Sequence, residues 1–294
     1  MLRMVRRQAT EADEVEWDPR GGAVDTAALK GVSAVVHLAG ENIGPSMDVG
    51  AGGAIPDAIR LAARTMGARW TRERRQRIRE SRVQGTGTLS RALAGMASPP
   101  AVLVSVSGAS FYGSSGDEPL DESSPPGSGF LAEVCQAWEA AADPAREAGI
   151  RVVHPRIGMV LAREGGALPA MLPPFKLGMG GPIGSGEQYQ SWIALDDVVR
   201  IIQYLVEREH LEGPVNTVAP GAVRNREFTR TLGRVLNRPA AVPLPAPVVS
   251  TLFGEMGRST LLEGQRVVPA RLTESGFEFR FPELEGALRH ELER

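Results

Sequence analysis

Ala34-Val35-Val36-His37-Leu38-Ala39-Gly40 is the stretch on which the fold turns. Its side chains are almost continuously apolar rather than alternating, as in a strand covered on both faces, and the run stops at a glycine. Similar runs recur downstream. Residues 101–106 are entered from Pro99-Pro100, residues 151–154 and 158–161 frame a further strand, and residues 215–218 form another. Residues 2–5 and 14–17 read as shorter strands. Helical patterns lie between them. Residues 71–96 carry Val83, Leu89 and Leu93. Residues 131–142 set Leu131, Val134, Cys135, Trp138 and Ala142 on one face. Residues 196–209 open with acidic side chains suited to a helix N-terminus. Strands alternating with helices of this length predict an α/β fold, a doubly wound parallel sheet with helices on both faces.

After about Pro220 the pattern changes. Asn225 is placed to cap a helix with Phe228, Leu232, Val235 and Leu236 inward. A proline-rich connection follows at 239–247, then a strand-like Phe277-Glu278-Phe279-Arg280-Phe281, then a last helix with Leu284, Leu288 and Leu292 spaced by four. The division expected is residues 1–220 as the main sheet domain and 221–294 as a smaller C-terminal α/β cap that covers substrate.

Composition narrows the functional classes. Of 294 residues, 42% are hydrophobic and 23% charged, and the formal net charge of −2 provides no global field to recruit nucleic acid or anionic membrane. The single cysteine, Cys135, excludes a disulfide within the chain. The four histidines are scattered, so no metal site is expected. Residues 1–18 are charged throughout, without the apolar core of a signal peptide, and no uncharged apolar run reaches the ~20 residues of a membrane span. These features point to a cytoplasmic protein.

The order of local motifs resembles the extended short-chain dehydrogenase/reductase superfamily, and within it the atypical branch described as epimerase family proteins. His37-Leu-Ala-Gly-Glu-Asn42 is similar to the signature after the fourth strand, and Val83-x-Gly85-Thr86-x-x-Leu89 to the start of the long helix that follows. Ser105-Val-Ser107 with Phe111-Tyr-Gly113 resembles the fifth-strand end, where the superfamily keeps a catalytic hydroxyl. Ser191-Trp-Ile-x-x-Asp-Asp197 resembles the opening of a late helix. The stretch from Asp121 to Glu139, then Gln265-Arg-Val-x-Pro-Ala-Arg-Leu272 and Gly276-Phe-x-Phe279, extends the likeness to nearly the whole chain. The resemblance implies a Rossmann-like fold.

Two departures stand out. The family opens with a strand and a Gly-x-x-Gly-x-x-Gly turn whose amides approach a pyrophosphate. Here the chain opens at what reads as the second strand, so the expectation is a fold short of one strand-turn-helix unit that holds a dinucleotide poorly. Residues 44–68 read as an insertion. Within it Gly50-Ala-Gly-Gly-Ala-Ile-Pro56 echoes a dinucleotide loop, but no apolar strand precedes it, so it reads as a glycine-rich surface loop.

The resemblance also implies site residues. The superfamily reduces carbonyls with a tyrosine and a lysine four residues on, and this chain has no such pair. If Glu139 takes the glutamate position, Leu131 and Cys135 stand where the pair belongs. Ser107, Tyr112 and Glu133 remain candidate catalytic residues. Ser107 and Tyr112 are equally open to structural roles, and Glu133 to being a solvated helix carboxylate. Arg6 and Arg7 end the apparent second strand where arginine suits the 2′-phosphate of NADP and an acid would suit NAD. Asp18 would contact adenine, Leu38, Ala39 and Gly40 would pass under the nucleotide, and Ile157-Gly158 would approach the nicotinamide.

The expected function is thus an NADP-binding reductase-like or epimerase-like protein acting on a small-molecule substrate. The alternative is a nucleotide-binding sensor or scaffold without turnover. A third reading, RNA binding, rests on seven arginines between residues 69 and 82. With Trp70 the sole aromatic there, a solvated helix laced with ion pairs is the plainer account.

Overall fold

The computed structural model describes residues 1–19, 21–44 and 69–293. Most of the segment read as an insertion, with its Gly50–Pro56 turn, lies outside the described residues. In chain order the elements are β1 (Arg3–Val5), β2 (Glu14–Asp18), β3 (Ala23–Val24), β4 (Ala34–His37), α1 (Arg72–Ala94), β5 (Val102–Ser105), β6 (Ser107–Gly108), β7 (Pro119–Leu120), α2 (Phe130–Ala140), α3 (Asp143–Glu147), β8 (Arg151–Ile157) and β9 (Met159–Leu161). There follow α4 (Leu168–Lys176), β10 (Tyr189–Gln190), β11 (Trp192–Ala194), α5 (Leu195–Glu207), β12 (Gly213–Thr217), β13 (Val223–Arg224), α6 (Asn225–Leu236), α7 (Ala246–Gly257), β14 (Arg266–Val267), α8 (Ala270–Glu274) and α9 (Leu284–Glu291).

The central sheet is parallel, in the order β12-β8-β5-β4, with β6 joining β8 just beyond the end of β5. Its two faces follow from the period of two along each strand. Val35, Leu103 and Val152 face one way and pack with Leu89 and Leu93 of α1 and with Trp17 of β2. Val102, Val104 and Val153 face the other way and pack with Val198, Ile201 and Leu205 of α5. The apolar runs seen in the sequence are the strands of this sandwich, so the parallel α/β reading holds.

β1 and β2 form a separate small parallel sheet, with β3 antiparallel on β2. Among the described residues no strand lies between β1 and β4. The two sheets meet through side chains instead: Val15 and Trp17 pack against Val35, and the Trp17 ring meets His37 edge-on at 5.7 Å. On the opposite face of β4, Val36 keeps 41% exposure although it shares the side on which Val104 is fully covered.

Several local expectations need correction. Residues 158–161 do not extend the central sheet. Gly158 turns the chain so that β9 pairs with β11. Residues 277–281 are not a strand. The amides of Arg280 and Phe281 donate to the buried Asp197 carboxylate at 2.9 Å each, and Phe277 meets Phe279 and Tyr204 edge-on. Asn225 does not cap α6 through its side chain. Its Oδ1 accepts from the Ile183 amide, and Arg224 holds the cap position. The C-terminal segment packs α6 and α9 onto β9, β11 and α4 around Trp192 and Phe228.

Candidate active site at the strand ends

In an open parallel α/β sheet, ligands bind outside the carboxyl ends of the strands. Those ends bring together Leu38–Gly40 after β4, Ser107 at the start of β6, and Ile157-Gly158 at the end of β8. The register sets Ser107 opposite Arg156 and Gly108 opposite Ile157, so the serine sits beside the β8 terminus. Ser107 is buried. Its hydroxyl lies next to the Cys135 thiol, a weak partner, and makes no other hydrogen bond of full geometry among the described residues. Leu38 is 58% exposed, and Ala39 and Gly40 are open beside it.

The helix α2 forms the wall over this end. Cys135 approaches β6 so closely that a Cβ on Gly108 would stand 3.4 Å from its sulfur. Burial pushes the thiol up to about 11, so at neutral pH it is a protonated small hydrophobe. Leu131, one turn earlier, packs with Trp70, Phe130, Val134 and Met256. The two positions that the resemblance assigns to a proton-donating pair are therefore an apolar wall.

Tyr112 occupies the structural one of the two places open to it. It is buried, its hydroxyl donates to Asn216 Oδ1 at 2.7 Å and accepts from Arg156 at 2.9 Å, and Arg156 in turn holds both carboxylate oxygens of Glu139. Burial raises the phenol above its ordinary range. A hydroxyl committed on both sides and closed off from the cleft is framework, tying β8, β12 and α2 together. Glu133 is exposed on α2, without the desolvation that would suit it to proton transfer.

At the other end, Arg6 and Arg7 part company. Arg7 is spent on Glu14, its guanidinium paired with both carboxylate oxygens. The Thr10 amide and then Arg7 hold Glu14 down to about 2. Arg6 is exposed and makes no hydrogen bond or ion pair with described residues. Asp18 ends β2 with its carboxylate folded over the turn at Gly21. Gly158 is required by packing, since a Cβ there would stand 2.3 Å from the Ser191 carbonyl oxygen.

The sequence profile of the NAD dependent epimerase/dehydratase family matches residues 51–218, starting within the segment read as an insertion, and a domain of unknown function, DUF1731, matches residues 244–291. An epimerase family protein of Mycobacterium bovis is 40% identical over 279 residues, 95% of this chain and 85% of that protein. The chain belongs to the NAD dependent epimerase/dehydratase family. A human member, epimerase family protein SDR39U1, is 37% identical over 94% of this chain and 86% of its own length. The crystal structure of human SDR39U1 isoform 2 with NADPH superposes with a TM-score of 0.82 at 35% identity, covering 99% of this chain and 90% of that one. A nucleoside-diphosphate sugar epimerase from Corynebacterium glutamicum gives 0.73 at 31% identity, covering 99% of this chain and 52% of that one.

Within this family frame, sequence reasoning missed one group at the strand ends. Arg82 was taken as part of a basic helix face. It lies instead on the covered side of α1, in register with Ile78, Gly85, Thr86 and Leu89, and its guanidinium sits against Gly40 and over the Trp138 ring at 5.0 Å. The spacing of four from Ile78 and three from Gly85 was the available signal. The other arginines of that run are partly absorbed by packing: Arg75 lies over Phe130 and pairs with Glu255 of α7, and Arg69 and Arg74 donate to backbone carbonyls of Thr251 and Gly44.

Proposed function

We propose that this family member binds NADPH across the carboxyl ends of β1, β4, β6 and β8, and acts as an atypical oxidoreductase or epimerase-like protein on a small molecule. The observation that carries the reading is the superposition on the NADPH complex of human SDR39U1 across 99% of the chain. The residues present fit the group in part. Arg6 is free to meet a 2′-phosphate, residues 38–40 offer an open platform, and Ser107 sets a buried hydroxyl behind the nicotinamide end. When bound, NADPH supplies hydride. The chain's own contribution is orientation by Ser107 and the exclusion of water by the wall of Leu131 and Cys135.

Residues 1–220 would carry the dinucleotide and 221–294 would cover the substrate. A cytoplasmic setting agrees with the lone, buried cysteine. No described helix is long and apolar enough to cross a membrane. The same apolar wall favours a second reading, a nucleotide-binding sensor that does not turn over, because a positioned acid usually contributes ~10²–10⁴-fold to proton transfer. A survey of aldehydes, ketones and nucleotide sugars with NADPH tests between them. Slow turnover that falls on Ser107→Ala supports the enzyme, and NADPH binding with no turnover on any substrate supports the sensor. Failure of NADPH to saturate the chain contradicts both.

A further inference from the structure

Arg82 lies against Gly40 just beyond the end of β4, and, unlike Arg156, which is committed to Glu139, its surroundings are those of a ligand-binding group rather than a structural ion pair. One N–H donates to the Ile78 carbonyl oxygen at 3.1 Å. A guanidinium has five N–H donors, and the others make no hydrogen bond with described residues while remaining open to the cleft. Among the described residues no carboxylate lies within ion-pair distance of it. Glu41 and the Cys135 thiol face it from farther off, and partial burial pulls its pKa below the ordinary arginine value. The plane is fixed from below by Trp138, itself locked by a hydrogen bond from its indole N–H to Thr86 Oγ1 at 2.8 Å. Gly40 also lies against it, where a Cβ would stand 3.1 Å from the guanidinium carbon. The group is thus held in place, partly desolvated and short of acceptors.

We propose that Arg82 binds an anionic group of the substrate, a carboxylate or a phosphate, beside Gly40 at the end of β4. This rests on reading the strand ends as the cofactor and substrate cleft, and it narrows the substrate class to acids. A fixed guanidinium matches two oxygens of a carboxylate or phosphate through parallel N–H donors, and its partial burial strengthens such bonds. No tyrosine or lysine competes for the anion, because Leu131 and Cys135 fill that wall.

The test titrates malonate and inorganic phosphate into the chain, with and without NADPH, reading the emission of Trp138 beneath the guanidinium, with Trp138→Phe to identify its signal. Arg82→Gln and Arg82→Lys are compared after confirming unchanged melting. The expected result is saturable binding of one probe. Arg82→Gln weakens it by about tenfold or more, the size of a lost charge-assisted hydrogen bond, Arg82→Lys is intermediate, and NADPH affinity moves less than about threefold. Which probe saturates tells carboxylate from phosphate. The proposal is overturned if neither probe saturates, if Arg82→Gln binds as well as the native chain, or if that substitution weakens NADPH in the same proportion. NADPH failing to bind while Arg82-dependent anion binding persists contradicts the cofactor reading and leaves the anion site standing.

Discussion

Arg6 and Arg7 are adjacent in sequence and opposite in circumstance. Arg7 neutralises a covered carboxylate, and Arg6 points into solvent at the end of β1. Arg6→Ala should therefore cost NADPH about 1.5–3 kcal/mol of affinity and leave NADH unchanged, whereas Arg7→Ala should lower the melting temperature and leave the NADPH to NADH ratio alone. Calorimetry and thermal unfolding of the two variants check this, and reversed roles would count against the site. The sequence identified both arginines but could not separate them, since Glu14 becomes Arg7's partner only when β1 and β2 pair. The place of Ser107 at a strand end was legible because it needs only local pattern. Tyr112 was not, because its partners Arg156 and Asn216 are 44 and 104 residues away. Cys135, held near 11 by burial, should resist thiol reagents at pH 8 in the folded chain and react fully once denatured.

Among the elements, the long amphipathic helices and apolar strands were readable because each repeats its own period. The segment after α8 was misread for a physical reason: alternating Phe277, Phe279 and Phe281 mimic a strand, but the nearby backbone donors are satisfied by a carboxylate instead of a ladder. Asp197 is fully covered, accepts from the Arg280 and Phe281 amides, and pairs with Arg200. Asp197→Ala leaves two amides without an acceptor, and should destabilise by about 2–4 kcal/mol, measured by denaturant unfolding. α7 escaped the sequence reading because it begins inside the proline-rich stretch, with Pro245 at its cap and Pro247 in its first turn.

Across the whole molecule, the two sheets are joined by side chains rather than by a shared ladder, and His37 stands at the joint. Burial lowers it to about 4, from an ordinary value of 6.5, and its Nε2 has no partner among the described residues. Between those two values the unfolded chain binds the proton and the folded chain does not, so stability falls as pH drops from 6.5 toward 4, by roughly 3 kcal/mol for this group. His37→Gln should flatten that slope in pH-dependent unfolding, while His154, also lowered by burial, retains its part. The exposed face of β4 makes a second global statement. Val36→Ser should cost no more than about 0.5 kcal/mol, against about 2 for Val104→Ala, whose methyls are fully covered. A large penalty at Val36 would mean that face is covered in solution. That Trp17 and His37 would bridge the two sheets was not legible in the sequence, since 20 residues separate them and only the folded chain brings the rings together.

The central claim is that NADPH lies across the strand ends. An open cavity of about 1000 Å³ lined by Val160, Arg163, Gly166, Leu195 and His290 is the competing location. Amide NMR during an NADPH titration separates them. The account predicts saturable shifts at Arg6, Gly40, Ser107, Gly108 and Gly158, weaker with NADH. Shifts confined to residues 160–166 and 289–293, or none at all, would contradict it.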